Sequence, residues 1–194
     1  LVEVTREADV DIRESILGLR ETISETGLLP ALTHYLKQYE KNYGIHTELR
    51  VPESFSDGAF EPLVEVQLLR ILQETLTNVR KHARARSVWI TFAVENDCES
   101  KPCAHNPCAR ITVQDDGRGF EPGFSSPRSG EHVGLRVMRE RVEELGGNLS
   151  LHSEAGQGTQ VVVRVPMKEG SHVDVGKERF GEVPMSSLAE VERG

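Results

Sequence analysis

Four polar side chains recur every four residues in the segment "LLRILQETLTNVRKHARAR": Arg70, Glu74, Asn78 and His82. On a helix that spacing stacks them along one face, with Lys81 beside them. The other side carries Val64, Leu68, Leu72, Thr75, Leu76 and Val79, a stripe suited to a core. In most amphipathic helices the polar face is simply the wet one. Here its chemistry is more specific. The Asn78 carboxamide oxygen can complete a Mg²⁺ shell otherwise made of water and phosphate oxygens. The Glu74 carboxylate, one turn away, can orient a water or a nucleophile's proton. Lys81 and His82 can contact phosphate.

A second constellation follows the strand-like run "ARITV" in "VQDDGRGFEPG", residues 113–123. A carboxylate at a strand exit, Asp115, can accept a hydrogen bond from an exocyclic amine such as that of adenine. Gly117 would let the main chain lie flat against the base, where a Cβ would collide, and Gly119 would free the start of the next loop. Taken alone, the motif is more often a tight Asp-Gly turn. Gly134 opens the helical pattern "VGLRVMRERVEEL", where free N–H groups and the helix dipole form an anion site. Many helices nonetheless begin after a glycine. Thr159 heads the last strand, and its hydroxyl can reach a ligand or serve an ordinary turn.

The elements that must position these groups can be read from periodicity. Helical spacing is expected over 3–20, and again in "LLPALTHYLKQYEKNYG", with Leu28, Leu32, Leu36 (or Tyr35), Tyr39 and Tyr43 on one face and Gly44 as its stop. "IHTELRV" alternates like a strand. The longest helical pattern runs from Leu63 to about Ala83. Strands are expected at Ser87–Val94 and in "ARITVQ", and "NLSLHS" with "TQVVVRV" forms a hairpin around "EAGQG". The order is not a strict βαβ alternation. It implies an α+β fold, a two-layer α/β sandwich with a mixed, mostly antiparallel sheet covered on one face by helices.

At 194 residues the chain holds one well-cored domain plus appendages. A net charge of −8 argues against the uniformly basic face of a nucleic-acid binder, so no nucleic-acid partner is expected. The local cluster "RKHARAR", Arg80 to Arg86, suits a small anion instead. No run approaches the length of a membrane helix, and no signal peptide opens the chain. The first residue is Leu1 and helical pattern begins almost at once, as in a piece cut from a longer protein. Three cysteines, an odd number, do not suggest a disulfide framework.

Glu-x3-Asn on a helix, Asp-x-Gly-x-Gly after a strand, a loose Gly/Pro/Ser segment and Gly-Leu at a helix start resemble the ATPase superfamily of gyrase, heat-shock chaperones, histidine kinases and mismatch-repair proteins. "LLRILQETLTNVRKHARARSV", "VQDDGRGF" and "HVGLRVMRERVEELGG" are similar to the catalytic domain of bacterial sensor histidine kinases of the nitrate-sensor and lipid-fluidity-sensor subgroup. "DIRESILGLR" resembles the end of that subgroup's dimerisation helix. The resemblance implies ATP and Mg²⁺ as cofactors, with Asn78 binding Mg²⁺ and Asp115 recognising adenine beside Gly117 and Gly119. It further implies that Glu74 polarises the reaction, that Lys81, His82 and His132 lie near phosphates, and that Gly134 and Leu135 support the triphosphate, with Thr159 in reach of the ligand.

The same resemblance implies an organisation: residues 1–24 as the end of a dimerisation and phosphoacceptor domain, 25–167 as the ATP-binding catalytic domain, and 168–194 as a polar tail. An ATP lid is implied over about 120–133, while a cysteine-containing hairpin insert, expected over 96–108, departs from the family's pattern. The implied partners are a phosphoacceptor domain, a response regulator receiver domain and a second copy in a homodimer. The implied location is cytoplasmic, with the full-length protein open to membrane anchoring. Alternatives within the superfamily are an anti-sigma-type serine kinase and a non-catalytic nucleotide-binding module. None of the seven histidines has the acidic setting of a phosphoacceptor, so the acceptor is expected outside this sequence. Cys98, Cys103 and Cys108 with His105 could hold a metal, but paired Cys-x2-Cys spacing is absent, which favours incidental cysteines on a hairpin.

Overall fold

The computed structural model describes residues 27–52, 55, 58–95, 107–120 and 131–168, the side chains of 131–133 excepted. The helix expected over 3–20, the insert as far as residue 106, most of the expected lid (121–130) and the tail from 169 lie outside the described residues. The elements run α1 (Leu28–Tyr43), β1 (His46–Arg50), α2 (Pro62–Asn78), a π-helical turn (Val79–Ala83), β2 (Ser87–Glu95), β3 (Cys108–Asp115), α3 (Glu131–Glu144), β4 (Asn148–Ser153) and β5 (Thr159–Pro166).

The strands form one sheet in the order β1-β2-β3-β5-β4. β1 lies parallel to β2, and every other pair is antiparallel. Parallel neighbours need a crossover, and α2 with its π turn supplies it. Alternation along the strands puts Val88, Ile90 and Phe92, Ile111 and Val113, and Val161 and Val163 on the helix side, all buried. The opposite face is mixed, with Thr91, Thr112 and Gln160 beside Trp89 and the buried Val162. There Glu95 lies 2.8 Å from Arg110 Nε and 2.9 Å from Arg164 Nε, joining three strands. The result is the two-layer sandwich that the element order implied.

Helix α1 buries Leu28, Leu32, Leu36 and Tyr39, the expected stripe, but Tyr43 at its end is 49% exposed. The Arg80 guanidinium covers that ring instead, 4.9 Å from its centroid. Gly44 ends the helix at φ +67, a left-handed conformation that glycine adopts without a Cβ penalty. Helix α2 starts on Pro62, whose missing N–H costs nothing in the first turn. It buries Leu68, Leu72, Thr75 and Leu76 as expected, while Val64 is only partly buried. Met138 and Val142 of α3 are buried, and Arg141 Nη1 ties that helix to Gln67 Oε1 at 2.9 Å.

Two expectations are corrected. The single helix from Leu63 to Ala83 is α-helical only to Asn78, after which the backbone widens into the π turn. At the junction Val79 N–H is shared between the Thr75 and Leu76 carbonyls, and the buried Tyr39 hydroxyl donates to Leu76 O at 2.9 Å. A side-chain donor thus serves a carbonyl where the helical register changes. The second correction concerns cysteine. Cys108, fully buried at the head of β3, is disulfide-bonded. An odd count leaves one cysteine over without forbidding a pair. A disulfide takes two sulfurs out of the thiolate pool, so the three-cysteine metal site loses both Cys108 and its partner as donors.

Candidate functional site

Strand register builds the floor of a cleft at one end of the sheet. Val88, Asp115, Thr159 and Ser153 form one row across β2, β3, β5 and β4, and Ile90, Val113, Val161 and Leu151 form the next. Both rows face the helices. Val113, Leu151 and Val161 line the cleft from below, and Thr75, Val79, Ala83 and Met138 line it from the helices. Polar groups enter this apolar slot at few places: Asn78 and His82 on one wall, Asp115 and Thr159 at the strand ends, and Arg118 beside them.

Asp115 is 3% exposed, yet it lines the cleft. Its Oδ1 accepts the Gly117 N–H at 2.8 Å, and the Thr159 backbone N–H also bonds the carboxylate. Burial dominates its titration and raises the carboxyl to about 6, against the lowering effect of those two N–H donors. A buried acceptor facing a slot with an apolar floor is the donor-reading group that a planar amine-bearing base requires.

The segment after Asp115 is bolted down on both sides. Asp116, the second carboxylate of the motif, accepts the Arg86 and Ser87 N–H groups at 2.7 and 2.9 Å. Arg118 N–H donates to Ala83 O at 2.7 Å, and Arg118 O accepts from Gly156 N–H at 2.6 Å. Phe120 N–H donates to Ser153 Oγ at 2.9 Å, which also lies 3.0 Å from Thr159 Oγ1. A Cβ on Gly117 would stand 2.5 Å from Ala83 O and 2.7 Å from Ala83 Cβ. The structure therefore already requires this glycine for packing against the π turn, before any ligand enters. Gly119, at φ +56, packs against the Glu154 carbonyl where a Cβ would overlap it. It anchors the loop rather than freeing it.

Of the residues singled out in the sequence, Asn78, His82, Asp115, Gly119, Leu135 and Thr159 meet at the cleft. Gly117 underpins it, and Glu74, Lys81 and Gly134 do not line it. Glu74 Oε1 instead lies 2.9 Å from where a Gly134 Cβ would sit, so this glycine lets α3 approach the Glu74 carboxylate. The His132 side chain lies outside the described residues. Sequence reasoning passed over Thr75, Val113, Arg118, Phe120, Met138 and Leu151 as cleft residues. Strand alternation outward from Asp115 points to Val113, and Arg118 stands inside the quoted motif.

ATP and Mg²⁺ fit this set of groups. The Asp115 acceptor and apolar floor suit adenine, and the Asn78 carboxamide makes no hydrogen bond among the described residues. No cluster of three or more His, Cys, Asp or Glu ligands occurs among the described residues, so a cation here would draw its other ligands from water and phosphate.

Residues 63–169 match the family described as histidine kinase-, DNA gyrase B- and HSP90-like ATPase. The chain belongs to this family. The chain is 33% identical over 162 residues to the sensor histidine kinase LiaS of Bacillus subtilis (strain 168), covering 83% of this chain and 40% of that protein. It is 31% identical over 170 residues to the oxygen sensor histidine kinase NreB of Staphylococcus carnosus (strain TM300), covering 87% of this chain and 43% of that protein. The chain thus spans less than half the length of these relatives. Among solved structures, a blue-light activated histidine kinase of Erythrobacter litoralis EL346 shares the fold, with a TM-score of 0.62 at 22% identity over 87% of this chain and 57% of that one. ATP is the ligand that family membership supports. Among the described residues no helix is long and apolar enough to cross a membrane.

Proposed function

We propose that this chain is the ATP-binding catalytic part of a sensor histidine kinase that transfers the γ-phosphoryl group of ATP to a histidine on a dimerisation domain, for relay to a response regulator. The observation that carries the reading is the buried Asp115 carboxylate, aimed into an apolar slot whose far wall presents Asn78 and His82. The relatives named above are sensor histidine kinases, which favours this reading over a serine kinase or a non-catalytic module. Homodimerisation through the phosphoacceptor domain and a cytoplasmic location belong to the same proposal.

Phosphoryl transfer depends mainly on positioning and charge neutralisation. Asp115 accepts the adenine amine, and the walls exclude water from the base. Thr159 keeps the strand end in register with Asp115. Asn78 offers its carboxamide oxygen to Mg²⁺, which when bound neutralises phosphate charge. Lys81 and His82, on the same turn, are basic groups near the phosphates. Gly134 and Leu135 bring the start of α3 to the triphosphate. Glu74, one turn before Asn78, polarises the attacking group.

The test is incubation of this chain with γ-labelled Mg·ATP, with and without a separately purified histidine kinase acceptor-helix domain. Labelling of the added domain at an acid-labile, base-stable position is the expected result, with negligible labelling of this chain alone. Strong labelling at any of its own seven histidines would overturn the claim that the acceptor lies outside this sequence.

A further inference from the structure

Arg118 stands between the two glycines of the strand-exit loop and is held at three points. Its N–H donates to Ala83 O at 2.7 Å, and its carbonyl accepts the Gly156 N–H at 2.6 Å. Its side-chain Nε donates to His82 O at 2.8 Å. The guanidinium is thereby anchored by its inner nitrogen against the π turn, on the cleft lining beside His82. The outer nitrogens, Nη1 and Nη2, carry no hydrogen bond or ion pair among the described residues. A guanidinium fixed through Nε presents those two as a planar fork, the shape that matches a pair of phosphate oxygens.

The surroundings leave the fork available. Asp115 is occupied by the Gly117 and Thr159 N–H groups, and Asp116 by those of Arg86 and Ser87. Neither carboxylate pairs with Arg118. Lys81 and His82 on the π turn, and Arg84 just after it, are basic side chains of the same segment. The apolar floor and Asp115 account for a base, and nothing assigned so far accounts for an anchored arginine at the same cleft.

We propose that Arg118 is a specificity-determining residue whose Nη1 and Nη2 hold phosphate oxygens of the bound nucleotide, so that the cleft separates nucleotides from nucleosides. This rests on the ATP-binding reading. It differs from a purely structural clamp, in which Nε alone matters and every adenine ligand depends on it equally.

Calorimetric titration of the wild-type chain, Arg118→Ala and Arg118→Lys with ATP, ADP and adenosine tests it. Arg118→Ala should weaken ATP and ADP about tenfold, as loss of a charge-assisted contact implies, while adenosine changes less than about twofold. Arg118→Lys should recover part of the ATP affinity through charge without the fork. If Arg118→Ala melts below the assay temperature, Arg118→Gln, which can still donate to His82 O, takes its place. Equal weakening of all three ligands would make Arg118 a clamp and overturn the proposal, as would no weakening of any. A wild-type chain that binds adenosine but gains nothing from phosphates refutes the phosphate contact alone. One that binds no adenine ligand refutes the ATP reading and this proposal with it.

Discussion

Between Asp115 and Phe120 the residues are hydrogen-bonded to, or packed against, neighbouring segments, whereas the Asn78 carboxamide on the facing wall makes no hydrogen bond among the described residues. On the proposed reading, the difference follows from what each end recognises. A planar base has fixed donor and acceptor positions, so its reader gains from being rigid before the ligand arrives. A hydrated cation and a phosphate chain bring their own ligands, and a partner for them must keep its lone pairs uncommitted. The rigid end is also where the π turn and the strand-exit loop interlock. Gly117 lies against Ala83, and Arg118 bonds the carbonyls of His82 and Ala83. On the proposed reading, recognition of the base and placement of the helix-end basic groups are built on one contact.

The severest way to break that contact is Gly117→Val. The new side chain meets backbone on the π turn, which cannot rotate away as a flexible side chain could. We expect a stability loss of about 3 kcal/mol, near the top of the overpacking range, with loss of ATP binding. A thermal melt with a parallel ATP titration checks both. Normal stability with normal binding would show that the interlock is not needed.

Asp115→Asn separates recognition from folding. It replaces an acceptor with a group that can turn a donor toward the adenine amine, and it should cost about 1.5–3 kcal/mol of binding, or roughly 10- to 100-fold in ATP affinity. Stability should move the other way. The carboxyl titrates at about 6 when folded, against 3.8 as its ordinary value. The folded state therefore binds the extra proton between those values. The associated stability is full below about pH 4 and is lost as pH rises through 6, where keeping the ion buried costs about 3 kcal/mol. Chemical denaturation at pH 4 and pH 7 should show this fall in the wild type and a smaller one in the variant. Unchanged ATP affinity would sink the adenine assignment.

Asn78→Ala sharpens the contrast from the open wall. With no hydrogen bonds to lose, the change should leave the melting temperature within a degree or two and remove only the Mg²⁺-dependent gain in ATP affinity, an effect of several-fold. Titrations with Mg²⁺ and with EDTA decide it. Equal loss in both would mean that Asn78 touches the nucleotide directly rather than through a cation.

Much of this arrangement was legible in the residues. The stripe on α2, the strand alternation and the glycines around "DDGRGF" carry local rules, and those rules imply a mixed sheet with helices on one side. What escaped depends on contacts between segments distant in sequence. Nothing near Asn78 announces a π turn, because the donor at its junction is Tyr39, 37 residues from Leu76. The close approach of Gly117 to Ala83 joins segments 34 residues apart, so sequence alone points only to the ligand as its reason. Glu74 and Asn78 share a helix face, yet only Asn78 lines the cleft, since the approach of α3 over Gly134 engages Glu74 from above.

The smallest expected effect tests the rigid end alone. Adenosine carries no phosphate, so its binding involves neither the cation nor the titration of a phosphate group. Its amine donates best to an ionised carboxylate, and the Asp115 carboxyl, raised to about 6 by burial, is only half ionised at that pH. Affinity should therefore rise with pH, by roughly twofold between pH 6 and pH 7 as the ionised fraction goes from about half to about nine-tenths. By linkage, bound adenosine should lower the Asp115 titration toward its ordinary value. A His82→Gln background keeps the imidazole on the same cleft out of the reading. Calorimetric titrations at four pH values in that background, with and without Asp115→Asn, give the measurement. A flat profile in the Asp115→Asn partner and a rising one in its parent support the carboxylate as base reader. Affinity that falls as pH rises would mean that the protonated carboxyl, donating to a ring nitrogen, is the form that binds.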